Sequence, residues 1–219
     1  MIKLALTKGR IEKKAIEILR NCGYDMSDLD DKGRKLLFNC PQVSGDGDAL
    51  QIVLAKAADV ITYVEHGTCD AGFVGRDTIM EMGGNFYEVA DLNFGICRFA
   101  LAGIKGKDFY AGHGHKVIAT KYPNVTKKFF AAKDIDCEIV KIEGSVELAP
   151  ILGLSDAIVD IVETGATLKE NGLEVYEDVS YISARCIANS ASIKLKESEM
   201  RSFFDKLEKE IREESEQKN

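Results

Sequence analysis

The stretch Ala157–Val162, AIVDIV, constrains the fold of this chain more than any other segment. It is a short apolar run, largely β-branched, that stops at a threonine-glycine turn formed by Thr164 and Gly165. Runs of this length that are bounded by a glycine turn are typical of strands buried on both faces in a parallel sheet. We therefore predict a buried strand here, within a parallel sheet.

Two carboxylates and a polar turn indicate that this strand contributes to a ligand site. Asp156 and Asp160 are separated by three residues, so a strand would place both on one face. A buried carboxylate is costly and often marks a functional site. The turn Thr164–Thr167, TGAT, offers two hydroxyl donors and a glycine that lets the backbone approach an anion, and the residues after it can open a helix. The combination predicts a sugar-phosphate site; a turn that binds nothing is the alternative.

Composition limits the classes of function that are open to the chain. Its 219 residues suffice for one large domain or two small lobes. The net charge of −7 leaves no concentrated basic face for nucleic acid. No apolar run approaches the roughly 20 residues that span a bilayer. Residues 1–6 do not have the pattern of an export leader, and the six cysteines are scattered without a CxxC pair. These features predict a cytoplasmic protein with reduced thiols and with no nucleic-acid or membrane partner.

Cations are concentrated at glycine turns, where an acidic protein that binds anions needs them. A strand over residues 3–7 leads into the basic turn Lys8–Arg10 and then into a helix. A second basic turn, Lys32–Lys35, contains Arg34, and a further strand ends at Gly75 before a helix. Ligands of such folds bind beyond the carboxyl ends of the strands, so we predict an anion site there. Solvated turns without a ligand are the alternative.

The order of strand and helix patterns predicts an α/β fold of two lobes with a ligand cleft between them. Lobe I is predicted to comprise residues 1–91 and 178–219, and lobe II residues 92–177. Two polar segments are better explained as loops than as metal sites. Gly45–Asp48, GDGD, lacks the later glutamate of a calcium loop, and Gly112–His115, GHGH, lacks a third ligand.

Several motifs, in this order along the chain, resemble those of the ATP phosphoribosyltransferase family. The first are LTKGR at 6–10, DAGFVGRD at 70–77, CRFA at 97–100 and ATKYPN at 119–124. The signature then runs from Glu147 through GLSDAIVD at 153–160 to TGATL at 164–168. Because these motifs span nearly the whole chain, the resemblance is specific.

The resemblance implies a bilobal fold like that of the type II periplasmic binding proteins. It also implies an enzyme, a pentosyltransferase that condenses ATP with phosphoribosyl pyrophosphate (PRPP). The products are phosphoribosyl-ATP and pyrophosphate, in the first step of histidine biosynthesis. The chain looks like the short form of the family, whose catalytic subunit forms a hetero-oligomer with a regulatory subunit related to histidyl-tRNA synthetase. Mg²⁺ is the expected cofactor.

The resemblance also implies a role for each candidate site residue. PRPP would be held by Asp156, Asp160, Thr164, Gly165, Ala166 and Thr167. ATP would be held by Lys8, Gly9, Arg10, Asp70, Gly72 and Gly75. The catalytic residues would be Arg10, Arg34, Asp156 and Asp160. Mg²⁺ would bind mainly through the substrate phosphates, with Asp156 and Asp160 as its candidate protein ligands.

Two other interpretations fit parts of the sequence. Another PRPP-dependent transferase, of type I, also ends its phosphate turn in TGxTL. That family favours adjacent acidic residues, whereas three residues separate Asp156 from Asp160. A non-catalytic solute-binding or effector domain with the same bilobal fold is the alternative from a different class. The missing export leader and the missing helix-turn-helix segment argue against it.

Overall fold

The computed structural model describes residues 1–44, 49–111 and 114–217. The strands, in chain order, are β1 (Ile2–Thr7), β2 (Leu37–Cys40), β3 (Leu50–Ala55), β4 (Ala71–Gly75), β5 (Tyr87–Asp91), β6 (Cys97–Ile104), β7 (Lys116–Thr120), β8 (Cys137–Lys141), β9 (Ala157–Val162), β10 (Leu173–Ile182) and β11 (Ala184–Ala188). The helices are α1 (Arg10–Asn21), α2 (Ser27–Asp30), α3 (Ala57–Glu65), α4 (Arg76–Met82), α5 (Pro123–Ala131), α6 (Leu148–Ile151), α7 (Ala166–Glu170), α8 (Ser190–Leu195) and α9 (Glu197–Gln217). The predicted loop Gly45–Asp48 lies outside the described residues.

The chain folds into two compact units. Unit 1 comprises Met1–Gly95 and Ser183–Asn219, and unit 2 comprises Ile96–Ile182. The sequence predicts the boundaries after residues 91 and 177, a few residues before the observed boundaries after Gly95 and Ile182. β10 explains the second difference, because it continues to Ile182, which pairs with Cys97 of β6.

Unit 1 is built on a six-stranded sheet with the strand order β2-β3-β1-β4-β11-β5. β1 lies between β3 and β4 and is parallel to both, so these three strands end at the same edge of the sheet. We call this edge the carboxyl edge of unit 1. β2 and β11 are antiparallel to their neighbours. The sequence predicts the anion site at the edge where β1, β3 and β4 end.

Helices cover both faces of this sheet because its central strands are apolar on both sides. Leu4 and Leu6 of β1 belong to the core cluster that contains residues of α1 and α9, whereas Ala5 packs in the cluster that contains residues of α3. This alternation is the period of two expected of a strand. Lys56 is the N-cap of α3, and Asp59 lies in the first turn of this helix.

Unit 2 is built on a five-stranded sheet with the order β10-β6-β9-β7-β8. β9, the strand predicted from AIVDIV, occupies the centre, and Ala157, Ile158 and Val159 are fully buried. β9 is parallel to β7, which is parallel to β8, but β9 is antiparallel to β6. The strand is buried as predicted, because a mixed sheet also buries both faces of a central strand, but the sheet is parallel only on the β7 side of β9. β7, β8 and β9 end at one edge, the carboxyl edge of unit 2.

Two further expectations can be compared with the structure. All six cysteines are free thiols, as predicted. Within the ranges that the structure describes, no helix is both long enough and apolar enough to cross a membrane.

Candidate active site

The turn Lys8–Arg10 and Gly75 lie close together at the carboxyl edge of unit 1, because β1 and β4 are adjacent parallel strands. Gly9 has a φ of +99°, which glycine adopts readily, and its N–H donates to a Glu12 carboxylate oxygen at 3.2 Å. Lys8 and Arg10 are exposed. The prediction that Lys8, Arg10 and Gly75 share one edge of a sheet is confirmed.

Arg34 lies at the same edge, in the exposed turn that precedes β2. β2 begins where β3 ends, since the Leu54 N–H donates to the carbonyl oxygen of Leu36 at 2.8 Å. The Lys32 ammonium forms an ion pair with the Glu12 carboxylate in the first turn of α1. This contact fixes the turn that carries Arg34 beside the Lys8–Arg10 turn.

Asp70 lies at the opposite edge of the unit 1 sheet, in a buried hydrogen-bond network. Its carboxylate accepts hydrogen bonds from the Lys3 N–H at 2.8 Å, the Ser192 hydroxyl at 2.8 Å and the Lys196 ammonium at 2.7 Å. Burial raises the pKa of Asp70, but the hydrogen bonds outweigh burial and hold the pKa below its ordinary value. Asp70 therefore ties β1 to α8 and to the loop before α9. We assign it a structural role in place of the predicted contact with ATP.

Gly72 also has a structural role. It lies within β4 against α3, where a Cβ atom built on it would be 2.7 Å from Val60 Cγ1 and 2.9 Å from Val64 Cγ2. Carbon atoms do not pack that closely, so α3 can approach β4 only where the strand has no side chain. Of the six residues predicted to hold ATP, the structure thus groups Lys8, Gly9, Arg10 and Gly75 and separates Asp70 and Gly72 from them.

The turn Thr164–Thr167 connects β9 to α7 at the carboxyl edge of unit 2. Gly165 is in the left-handed region at φ +77°, and the Ala166 N–H donates to the Thr164 hydroxyl oxygen at 3.3 Å. Thr164, Ala166 and Thr167 are exposed. The turn and the helix after it are as predicted, and hydroxyl and N–H groups in such a turn can bind an anion.

Asp160 lies near the end of β9, beside this turn, and its side chain is half-buried. Its pKa is raised to about 6, mainly by burial. The nearby Glu147 carboxylate also raises the pKa, whereas a hydrogen bond from the Ile161 N–H and the Lys121 ammonium lower it. Asp160 is therefore a carboxylate that an incoming group with hydrogen-bond donors or positive charge would stabilise.

Glu147 and Lys121 are site residues that the sequence reasoning missed. Glu147 is the N-cap of α6, and Lys121 directly follows β7. Both interact electrostatically with Asp160, so both lie at the carboxyl edge of unit 2. The only signal in the sequence is that Lys121 lies in the ATKYPN motif and that Glu147 begins the family signature. That Lys121 lies near Asp160 follows from the pairing of β7 with β9, which the sequence does not show.

Asp156 lies at the other end of β9. Its carboxylate accepts a hydrogen bond from the Val117 N–H at 2.9 Å, and its own N–H donates to the Val117 carbonyl oxygen at 2.8 Å. Asp160 is four residues further along the strand, a distance of about 13 Å, and the turn that begins at Thr164 is further still. The structure therefore does not bring Asp156 and Asp160 together, and Asp156 anchors the start of β7 to the start of β9.

The residues that the structure describes provide only part of the ligand set of a metal ion. The described residues contain no group of three or more His, Cys, Asp or Glu side chains that could hold a metal ion. His115 Nε2 is 3.6 Å from a Glu138 carboxylate oxygen at the surface, and Gly112 and His113 lie outside the described residues. Asp160 and Glu147 together offer two carboxylates, which suits Mg²⁺ that is otherwise bound by substrate phosphates and water.

Sequence comparisons identify relatives along almost the whole chain. Residues 56–209 match the family model described as HisG: ATP phosphoribosyltransferase. The chain is 56% identical over 212 residues to an ATP phosphoribosyltransferase of Clostridium kluyveri, and the matched residues cover 97% of this chain and 94% of the relative. It is 54% identical over 214 residues to one of Clostridium acetobutylicum, which covers 98% and 97% of the two chains. This chain is thus close in length to these relatives, which fits the short form.

Two solved structures support the fold assignment. The ATP phosphoribosyl transferase (HisG:HisZ) complex from Thermotoga maritima contains a chain that is 38% identical, with a TM-score of 0.81 over 98% of this chain and 100% of that chain. The periplasmic aliphatic sulphonate binding protein SsuA from Escherichia coli is 12% identical, with a TM-score of 0.58 over 99% of this chain and 75% of that chain. The second likeness confirms the expected fold, that of the type II periplasmic binding proteins. Because the family model matches most of the chain and curated relatives are more than half identical to it, the chain belongs to the ATP phosphoribosyltransferase family.

Proposed function

We propose that this protein transfers the phosphoribosyl group of PRPP to ATP, releasing pyrophosphate and forming phosphoribosyl-ATP. The observation that carries the proposal is the carboxyl edge of unit 2, where the turn Thr164–Thr167 stands beside Asp160. A phosphate turn next to a half-buried carboxylate suits a ribose phosphate better than a free phosphate. The family match makes ATP the expected acceptor.

Unit 2 supplies the PRPP site in this proposal. The 5-phosphate binds to the hydroxyls of Thr164 and Thr167 and to the backbone N–H groups of the turn. Asp160 and Glu147 accept hydrogen bonds from the ribose hydroxyls. Burial raises the pKa of Asp160, so hydrogen bonds from the ribose diol would stabilise its charged form.

Unit 1 supplies cations for the phosphates that move or bear charge during the reaction. Lys8, Arg10 and Arg34 lie at one edge of its sheet, beyond the ends of β1 and β3. A ring nitrogen of adenine is a neutral nucleophile, so the transfer requires no strong base. The difficult charges are those of the departing pyrophosphate and of the oxocarbenium-like ribose. Fixed cations and correct positioning address both.

Mg²⁺ is the proposed cofactor, and Asp160 and Glu147 are the residues of this chain that would ligate it. When bound, Mg²⁺ would neutralise charge on the pyrophosphate group. A regulatory subunit is the proposed partner, because a similar chain occurs in the HisG:HisZ complex. We propose a cytoplasmic location, as expected of a biosynthetic enzyme.

A direct assay tests the proposed function. The purified chain is incubated with ATP, PRPP and Mg²⁺, alone and with the regulatory subunit if one is present in the same genome, and both products are measured. We expect pyrophosphate and phosphoribosyl-ATP in equal amounts. A solute-binding or effector domain would bind ligand without forming either product, and pyrophosphate without phosphoribosyl-ATP would indicate another acceptor.

Substitution of Arg34 tests the proposed role of the basic edge of unit 1. If its guanidinium stabilises the departing pyrophosphate, Arg34→Ala lowers the rate of the chemical step about tenfold and raises the Michaelis constants less. Arg34→Lys recovers only part of the rate, because a point charge does not reproduce a planar fork on phosphate. Single-turnover kinetics measure the chemical step.

Arg20 provides the control for Arg34. It is exposed and forms an ion pair with Asp30 at 2.9 Å near the end of α1, away from the carboxyl edge. Arg20→Ala should leave the chemical step unchanged. The role of Arg34 is refuted if Arg34→Ala behaves like Arg20→Ala.

A further inference from the structure

Lys121 directly follows β7, at the level of Asp160 in the neighbouring strand β9. The two strands are parallel, and Ile118, Ala119 and Thr120 pair with Ala157, Ile158 and Val159. Thr120 fixes this register, because its hydroxyl donates to the Val159 carbonyl oxygen at 2.6 Å. The next residue of each strand is Lys121 and Asp160. An exposed ammonium group therefore stands next to the proposed ribose site.

The charges around Lys121 leave its ammonium available for a ligand. It interacts electrostatically with Asp160 and with Glu143, but it forms no ion pair within 4 Å in the part of the chain that the structure describes. Lys141, the nearby cation of β8, is paired with Glu143 at 2.7 Å. An anionic substrate that enters beside Asp160 and Glu147 would meet like charges, which the Lys121 ammonium offsets together with the proposed Mg²⁺.

The topology of unit 2 gives PRPP a direction on the sheet. The turn Thr164–Thr167 leads into α7, which packs against β10 at the far edge of the sheet on the β6 side of β9. Lys121 lies on the other side of β9, at the end of β7. The 5-phosphate and the pyrophosphate of PRPP are attached to opposite ends of the ribose. With the 5-phosphate in the turn and the ribose at Asp160, a ribose that extends away from the α7 side would direct its anomeric carbon toward β7.

We propose that the Lys121 ammonium binds the pyrophosphate group on the anomeric carbon of PRPP. This inference rests on the proposed function, and it gives the PRPP site of unit 2 a cation of its own. The contact is a charge-assisted hydrogen bond between ammonium and phosphate oxygen. Lys121 thereby sets the orientation in which the ribose lies across the end of β9.

Binding of three ligands distinguishes contacts to the pyrophosphate end of PRPP from contacts to its 5-phosphate end. We would titrate the full chain, in Mg²⁺ and without ATP, with PRPP, with inorganic pyrophosphate and with ribose 5-phosphate, the last by displacement of PRPP. Lys121→Met should weaken PRPP and pyrophosphate about tenfold and leave ribose 5-phosphate unchanged. Lys121→Arg should retain most of the affinity, because it keeps the charge. Lys127→Met is the matched control, since Lys127 is exposed in α5, and it should change none of the three.

The outcomes against the proposal are distinct. Unchanged affinity for PRPP and pyrophosphate in Lys121→Met would remove Lys121 from the site. Weakened ribose 5-phosphate would mean that Lys121 acts on the 5-phosphate or only on Asp160, and would overturn the orientation. Failure of the proposed function is a separate result, because it would appear as absence of phosphoribosyl-ATP with the unsubstituted protein.

Discussion

Asp160→Asn is expected to lower kcat/KM for PRPP about a hundredfold while leaving the protein folded. The carboxylate would accept hydrogen bonds from two ribose hydroxyls. Hydrogen bonds to a charged group are worth about 1.5–3 kcal/mol each, and the asparagine oxygen keeps a part of this, so a net loss of about 2.7 kcal/mol, or about a hundredfold, is expected. Steady-state kinetics with varied PRPP measure it. The stability should not fall, because the charged form of a half-buried Asp160 with a raised pKa opposes folding at neutral pH.

The pKa of Asp160 predicts how KM for PRPP should change with pH. In the free protein the pKa of Asp160 is about 6, so the carboxylate is charged above this pH and increasingly protonated below it. Because the charged form is the better acceptor for the diol, KM for PRPP should rise as the pH falls through about 6. This rise should disappear in Asp160→Asn.

Asp156→Asn is the matched control for Asp160→Asn. The amide oxygen can still accept the hydrogen bond of the Val117 N–H at the start of β7. The variant should therefore retain kcat/KM within about twofold of the unsubstituted protein. If Asp156→Asn is as inactive as Asp160→Asn, the two aspartates act together after all, as the sequence suggests, and the separation of roles along β9 is wrong.

Gly72→Val is expected to destabilise unit 1 by about 3 kcal/mol, because overpacking of a tight contact forces α3 away from β4. The two valine methyl groups of α3 that face Gly72 already lie inside the space that a Cβ atom needs. Equilibrium unfolding in urea measures the loss. Gly144→Val is the control, since a Cβ atom on Gly144 has no neighbour within 4 Å, and its effect should stay within about 0.5 kcal/mol.

The Gly72 experiment also separates packing from binding. If Gly72 contacts ATP, Gly72→Val would raise KM for ATP without lowering the free energy of unfolding. The structure leads us to expect the reverse, with a normal KM for ATP in the fraction of protein that remains folded.

The local patterns of the sequence predicted what depends on neighbours in the chain. The buried strand around Val159, the turn at Gly165 and the basic turn at Gly9 were all predicted from residues a few positions apart. Those features follow from hydropathy and from the freedom of glycine to adopt positive φ. The edge that collects Lys8 and Gly75 was also predictable, because strand-turn-helix repeats place their turns on one side.

The structural contacts of Asp156, Asp70 and Gly72 could not be predicted from the sequence, because long-range pairing decides them. Asp156 was singled out because a carboxylate next to a buried strand needs a partner, and Asp70 was assigned to ATP from the family resemblance. The partner in each case is a backbone N–H of a distant strand, of Val117 for Asp156 and of Lys3 for Asp70. Gly72 was assigned to ATP, and its real neighbour is α3. A buried polar group must have a hydrogen-bond partner, but only the register of the sheet identifies that partner.

The antiparallel pairing of Ile182 with Cys97 has a consequence for how this protein could be rearranged. Unit 2 begins and ends on two adjacent strands, so a few residues could join its termini without disturbing the ladder. In unit 1 the Ala184 N–H donates to the Phe94 carbonyl oxygen at 2.9 Å, so the two cut ends there are neighbours as well. Unit 2 is thus an insertion whose ends meet, the arrangement expected of a segment that was acquired as a cassette and that can be exchanged as one.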